Sequence, residues 1–396
     1  MEIKSRVKEL AESNFEFVQG IRRHMHANPE LSFQEHETAA FISKVLTEIG
    51  IEHKTGVAGT GIIAEIKGGI PSDKSFALRA DMDALPIQEL NQVPYASSKD
   101  GIMHACGHDV HTACLLGAAR ILFELRDKLE GTVRLIFQPG EEKLPGGASL
   151  MIRDGALKNP EPQGIIGQHV FPELSAGKVG FRSGAYMASA DELYIKIIGK
   201  GGHGAMPHQN IDPILIGSHV VVALQQLVSR IGSPIIPSVL SIGKFIANGA
   251  TNVIPSEAHL EGTFRTFNEK WRAEAHIKMK SLAENLALSM GGKCEFEIRK
   301  GYPFLVNEEK LTSASKDAAI EYLGADNVVD LDLRMTAEDF AYYSQVIPAC
   351  FYRLGTASAD GKFSNGVHHP EFDINEKALI TGSGLMAWLA IEALAS

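Results

Sequence analysis

Four short apolar runs, GIIAEI, FALRADMDAL, TVRLIFQPG and GIIGQHV, alternate with periodic helical segments at roughly 35–49 and 109–128. Strands separated by helices build a layered α/β fold, because each crossover helix covers the sheet it returns to. Open α/β sheets place their sites beyond the carboxyl ends of the strands. Asp81, Asp83, Glu141, Glu142 and His169 all fall at such ends.

The texture changes from about residue 185 to 296. ADELYIKIIG, SVLSIGKFI and AHLEGTFRTF alternate as half-exposed strands, and DPILIGSHVVVALQQLVSRI and NEKWRAEAHIKMKSLAENLALSM read as amphipathic helices. That is an α+β sandwich of the ferredoxin-like kind. From about 297 the α/β texture returns, so the small domain, 185–296, reads as an insertion into an α/β/α domain, made of 1–184 and 297–396, with a central, mostly parallel sheet. A chain of 396 residues exceeds what one hydrophobic core usually supports, in keeping with two domains.

A net charge of -10 with no basic stripe argues against a nucleic-acid or anionic-membrane partner and leaves small molecules or peptides. The N-terminal stretch MEIKSRVKELAESNF lacks the apolar core of a signal peptide, and the C-terminal LITGSGLMAWLAIEALAS, carrying Glu392, reads as a buried helix rather than a membrane span. Four widely spaced cysteines suit a reducing cytoplasm and leave Cys106 free to ligate or react.

Four segments offer metal ligands: Cys106 and His108 in ACGHD, Glu141 and Glu142 in QPGEE, His169 in GQHV, and His368 or His369 in VHHPEF. Thiolate, imidazole and carboxylate together suit zinc, manganese, cobalt or nickel. Each piece alone has an ordinary explanation: a hydrogen-bonded core histidine, a helix N-terminus capped by Asp109, a solvated glutamate pair. Two adjacent carboxylates at the end of an apolar strand are costly without a cation, and only the joint pattern is specific. GKGGHG mimics a dinucleotide fingerprint at Gly199, Gly201 and Gly204, but Pro207 and Pro213 delay the helix that should follow. TGSGL lies inside a helical pattern and is no nucleophile elbow.

Taken in order, HMHANPELSFQEHETAAFI, RADMDALPI, MHACGHDVHTACLLGAA, IFQPGEE, GGHGAMPH, TNVIPS, GTFRT, AEDFAYY and HHPEFDINE resemble the amidohydrolase branch of the M20 metallopeptidases, hydrolases of hippurate, N-acyl amino acids and auxin conjugates. The resemblance implies a site with two divalent metal ions and an inserted domain that acts as lid and makes a homodimer. It makes Cys106, His108, Glu142, His169 and His368 the ligands, Glu141 the general base, and Asp83 an orienting acid. His203 becomes an oxyanion donor reaching a neighbouring subunit, and Asn252 and Arg265 bind the substrate's carboxylate or backbone. Wider family members carry His-x-Asp where this chain has Asp81-Met82-Asp83, and Cys106 takes the missing ligand's part. Lys143, Leu144 and Pro145 separate the glutamates from the glycines that usually follow directly.

The reaction so implied is hydrolysis of an N-acyl amino acid by metal-activated water. A metallocarboxypeptidase or dipeptidase is the alternative within the class. A non-catalytic metal-binding homologue is the alternative outside it, weighed down by the retained Glu141. A cysteine hydrolase using Cys106 with His108 or His111 is a third.

Overall fold

The computed structural model describes residues 3–395 apart from 359, 362 and 364. They form two compact units. The first holds the chain up to Tyr186, Val306–Leu333, and the chain from Asp339 on; the second holds Met187–Leu305 with the short segment Arg334–Glu338.

The first unit is built on an eight-stranded sheet. Its spatial order is His53–Val57, Gly61–Lys67, Glu130–Gln138, Ile70–Asp81, Ile165–Ser175, Ala349–Ala357, Val179–Phe181, Val328–Asp330. The central strands run parallel: Ile70–Asp81 lies between Glu130–Gln138 and Ile165–Ser175, with Asp81 opposite Gln138. The strand Ala349–Ala357 joins the other side of Ile165–Ser175, also parallel, with Arg353 opposite His169. Antiparallel pairs close the flank at Gly61–Lys67. The central strands are buried over 75–81, 133–138, 165–170 and 349–356, as strands covered on both faces are. The helix His108–Glu124 is buried on almost every face, from Val110 to Leu122, as a helix without a polar stripe must be. It packs with the C-terminal helix Ala378–Ala395, whose long apolar run is therefore a core helix.

The second unit is a four-stranded antiparallel sheet in the order Ser238–Ile246, Glu257–Thr266, Asp191–Ile198, Lys293–Lys300. With the helices Pro213–Leu224 and Glu269–Ser289 inserted in the chain order strand-helix-strand-strand-helix-strand, this is the ferredoxin-like arrangement. Leu193, Ile195, Ile197, Leu260 and Phe264 meet Ile216, Val220, Ala275 and Met279 in its core. Asp212 caps the first helix through Ile214 N–H, with Pro213 at its first position, and Asn268 caps the second through Trp271 N–H.

Two details differ from the sequence reading. Lys293–Lys300 is a full edge strand, so the second unit runs on to Leu305 rather than to 296. The helix expected over the whole of DPILIGSHVVVALQQLVSRI ends at Leu224, and a π-helical turn follows at Leu227–Ile231.

Candidate metal centre

Three turns of the first unit are tied together before any ligand is considered. The loop ahead of the helix His36–Ile49 supplies Ser32 and Glu35. Ser32 Oγ donates to Asp83 Oδ2 at 2.6 Å. Buried Glu35 accepts from Thr60 Oγ1 (2.7 Å), Phe33 N–H and Gly140 N–H (both 2.8 Å). Gly140 needs to be glycine: its φ is +59°, and a Cβ there would stand 2.4 Å from the Phe33 ring. This turn presents Glu141 and Glu142 beyond the strand Glu130–Gln138. Glu142 N–H in turn donates to Asp83 Oδ2 at 3.0 Å.

Asp83 also orients His108 at the start of its helix. The carboxylate accepts from His108 Nδ1 at 3.1 Å, so that in the neutral ring Nε2 is the nitrogen with the lone pair. That Nε2 is buried and makes no hydrogen bond. His169 is set the same way: Nδ1 donates to the Val170 carbonyl (2.8 Å), and Nε2 faces Cys106 Sγ at 3.4 Å. Glu142 Oε1 stands 3.2 Å from His368 Nε2, out of line for a hydrogen bond, and is likewise an orphaned buried oxygen. His169 does not end its strand, as its position in the sequence suggested; the strand continues to Ser175.

These donors fall into overlapping groups whose ligand atoms lie within 4.8 Å of one another: Cys106 with His108 and His169, Cys106 with Glu142 and His368, and His108 with Glu141 and Glu142. The structure thus brings together all five residues proposed as ligands, with Glu141 beside them. Two buried atoms in these groups, His108 Nε2 and Glu142 Oε1, have no hydrogen-bond partner, and a cation fits there, since leaving them bare costs about 1–3 kcal/mol each. A further group, Asp81 with His108 and His111, is already spent in part. His111 Nδ1 donates to Asp81 at 2.6 Å and its Nε2 accepts Val170 N–H at 2.9 Å.

The surroundings are strongly negative. Burial works against charge on Asp81, yet His108, Arg79 and His111 hold its carboxyl well below the usual range. Asp83 is also lowered, burial being outweighed by the hydrogen bond from His108. Burial opposes a proton on His108, but Asp81 and Asp83 push it up to about 10, so the site draws positive charge. Burial, then Glu142, Glu141 and Asp81, push the Cys106 thiol well up. Those are the reverse of the electropositive surroundings that activate a cysteine nucleophile, which disfavours the thiol-hydrolase alternative.

The remaining candidates lie in the second unit. His203, exposed, sits in the two-residue strand Gly202–His203, opposite Val253. Its Nδ1 accepts Ala205 N–H at 3.0 Å, which puts the proton of the neutral ring on Nε2. Exposed Asn252 is its neighbour through the bond from Gly204 N–H to the Asn252 carbonyl (2.7 Å). Arg265 is half-buried, with Nη1 donating to the Met335 carbonyl at 2.8 Å. Nothing in the sequence reading had singled out Arg79, Gln138 or Asp339, three fully buried polar residues beneath the centre.

Thiol, imidazole and carboxylate gathered beside a buried glutamate, beyond the central strands Ile70–Asp81 and Glu130–Gln138 of an α/β sheet, are the parts of a metal-dependent hydrolase. Residues 77–392 match peptidase family M20/M25/M40, and the chain belongs to this family, in its amidohydrolase branch, whose members hydrolyse amide bonds. It is 44% identical over 307 residues to an N-acyl-L-amino acid amidohydrolase of Geobacillus stearothermophilus, covering 78% of this chain and 82% of that protein. It is 43% identical over 364 residues to an N-acetyl-L-cysteine deacetylase of Bacillus subtilis, covering 92% and 85%. A dinuclear metal-binding peptidase of the M20 family from Bacillus subtilis superposes with a TM-score of 0.83 at 38% identity, covering 97% of this chain and 99% of that one.

Proposed function

We propose that the protein hydrolyses the amide bond of N-acyl amino acids in the cytoplasm, with two divalent cations (zinc, manganese, cobalt or nickel) held by Cys106, His108, Glu142, His169 and His368. The observation that carries this reading is the pair of orphaned buried atoms, His108 Nε2 and Glu142 Oε1, among converging donors beside Glu141. When bound, the cations supply Lewis acidity that lowers the pKa of a water and polarises an amide carbonyl.

The protein's own groups do the rest. Glu141, buried and accepting the Asp339 N–H at 3.2 Å, takes the water's proton and returns it to the leaving amine. Asp83 holds His108 in the tautomer that offers Nε2. His203 presents Nε2–H to the oxyanion, and Asn252 and Arg265 hold the substrate's carboxylate, for which a guanidinium fork is well shaped. Two copies associate through the second unit. The helix Pro213–Leu224 exposes Leu215 and Val222, and the adjoining edge strand Ser238–Ile246 exposes Phe245 and Ile246, more apolar surface than one small unit leaves to water. His203 of one copy then serves its partner's site.

The test is a panel of N-acetyl, N-benzoyl and dipeptidyl amino acids, run with each metal after exhaustive chelation. Hydrolysis of N-acyl amino acids that vanishes on chelation and returns with metal is the expected result. Cleavage of dipeptides alone would reassign the enzyme as a peptidase of the same family, and activity that survives chelation but not thiol alkylation would overturn the metal reading.

A further inference from the structure

Glu141 and Glu142 lie on the segment that leaves the strand Glu130–Gln138 and ends at the helix Gly147–Arg153. This segment contains Lys143, Leu144 and Pro145, and Gly147 N–H closes it onto the Gly140 carbonyl at 3.0 Å. One residue from far along the chain grips it in three places. The Asp339 carboxylate accepts from Gln138 Nε2 with both oxygens (2.8 Å each) at the start of the loop, and from Ala148 N–H (2.9 Å) at its end. Between these two anchors, Asp339 N–H donates to Glu141 Oε1 at 3.2 Å.

The clasp is itself fixed from below. Arg79 Nη2 donates to Asp339 Oδ1 at 2.8 Å, Arg79 Nη1 to Asp81 Oδ2 at 2.6 Å, and Arg79 Nε to Gln138 Oε1 at 2.9 Å. Arg79, Asp81, Gln138 and Asp339 are all fully buried. Burying one arginine between two carboxylates is a poor way to gain stability, because desolvation offsets most of the attraction. It is an effective way to restrict movement, since Arg79 donates to three separate acceptors, on Asp339, Asp81 and Gln138, and a shift of any one strains its bonds to the others. The neighbouring donors fix the Asp339 carboxylate, the carboxylate fixes the residue's backbone, and the backbone N–H fixes Glu141.

We propose that Asp339 is a positioning residue for Glu141: its carboxylate staples both ends of the loop that carries the base, and its N–H holds the base in the rotamer from which it takes a proton. The inference rests on Glu141 being the base. Asp339→Asn breaks the clasp, because four donor contacts converge on a group that would then have one acceptor oxygen and an NH₂ of its own.

The experiment is a double-mutant cycle of Asp339→Asn with Glu141→Gln, assayed on an N-acetyl amino acid, with bound metal and melting temperature measured on each sample. Asp339→Asn lowers kcat per metal-loaded enzyme by about 10–100-fold, the range for loss of an outer-shell partner. KM and metal content stay near the parent values, and the substitution costs nothing further once Glu141 is already Gln. Unchanged kcat per metal-loaded enzyme, or the same factor lost in both backgrounds, overturns the proposal. A fully active Glu141→Gln removes the base reading instead, whereas an inactive Glu141→Gln beside a fully active Asp339→Asn removes only the clasp. Gln138→Leu, which deletes the amide contacts and keeps the charges paired, is judged by the same criteria should Asp339→Asn fail to fold.

Discussion

The two units hold their candidate site residues in opposite ways. In the first, Asp81, Asp83, His108, His111 and Arg79 are wholly buried, each carries named partners, and the lone pairs left over converge. In the second, His203 and Asn252 stand in solvent on a two-residue strand and its adjoining turn, and the ring hydrogen bond of His203 is to its own loop at Ala205. A cation demands donors that are dry and fixed before it arrives. A group that must meet a developing charge on an arriving substrate has to remain reachable. On the proposed function, the difference is that between donors fixed in advance to hold a cation and groups that meet a substrate from solvent.

The sharpest way to break this contrast is at His203. His203→Ala is expected to retain bound metal and lose about 10²–10³-fold in turnover, the effect of removing one oxyanion donor. Mixed with Glu141→Gln under conditions where exchange into heterodimers is verified, it should regain activity, because one site then carries both lesions and the other neither. No recovery would confine His203 to its own subunit or remove it from the reaction.

The exception within the first unit is His368, about half exposed with a left-handed backbone (φ +66°), unlike the buried donors it joins. His368→Ala is expected to weaken metal retention in equilibrium dialysis while His369→Ala is not. The reverse would shift the C-terminal ligand by one residue.

The smallest effect concerns the second unit's own charge cluster, buried Asp191 held by Arg272 and by His276 Nε2 at 2.7 Å. Burial alone would raise the Asp191 carboxyl, but His276 and Arg272 hold it low. Its stabilising contribution is therefore complete above the ordinary aspartate pKa, near ~3.9, and is lost as pH falls from there through the lowered value. Each unit has one tryptophan, Trp388 in the first and Trp271 in the second. Fluorescence of Trp388→Phe should show the Trp271 unit losing stability over that acid range, and Asp191→Asn should flatten the dependence.

Much of this was legible in the chain, and the gaps have physical causes. Strands and the buried helix His108–Glu124 announce themselves by period and by chemical type at their ends. The edge strand Lys293–Lys300 was cut short because its solvent face, Lys293, Glu295, Glu297 and Arg299, outweighs the inward Cys294 and Phe296. The helix end at Leu224 lacks a proline or glycine to mark it, only Gln225 and Gln226. Cys106, His108 and Glu142 could be picked out because ligand types are few. Arg79 could not, because only its partner Asp81 is local, and the bond that ties it to Asp339, 260 residues away, leaves no local pattern. Asp339 stands in the stretch AEDFAYY, where neither its type nor its spacing points to Gln138, Ala148 and Glu141, far off in the sequence.

In the proposed reaction the first unit keeps metal binding, at Glu142, apart from proton transfer, at Glu141. Elemental analysis and turnover measured on a single preparation of Glu141→Gln address it most directly. The expected result is a full complement of bound metal with turnover down by about 10²–10⁴-fold, since an amide fills the same space without accepting a proton. Near wild-type turnover in the metal-replete variant, or loss of the metal itself, would contradict it.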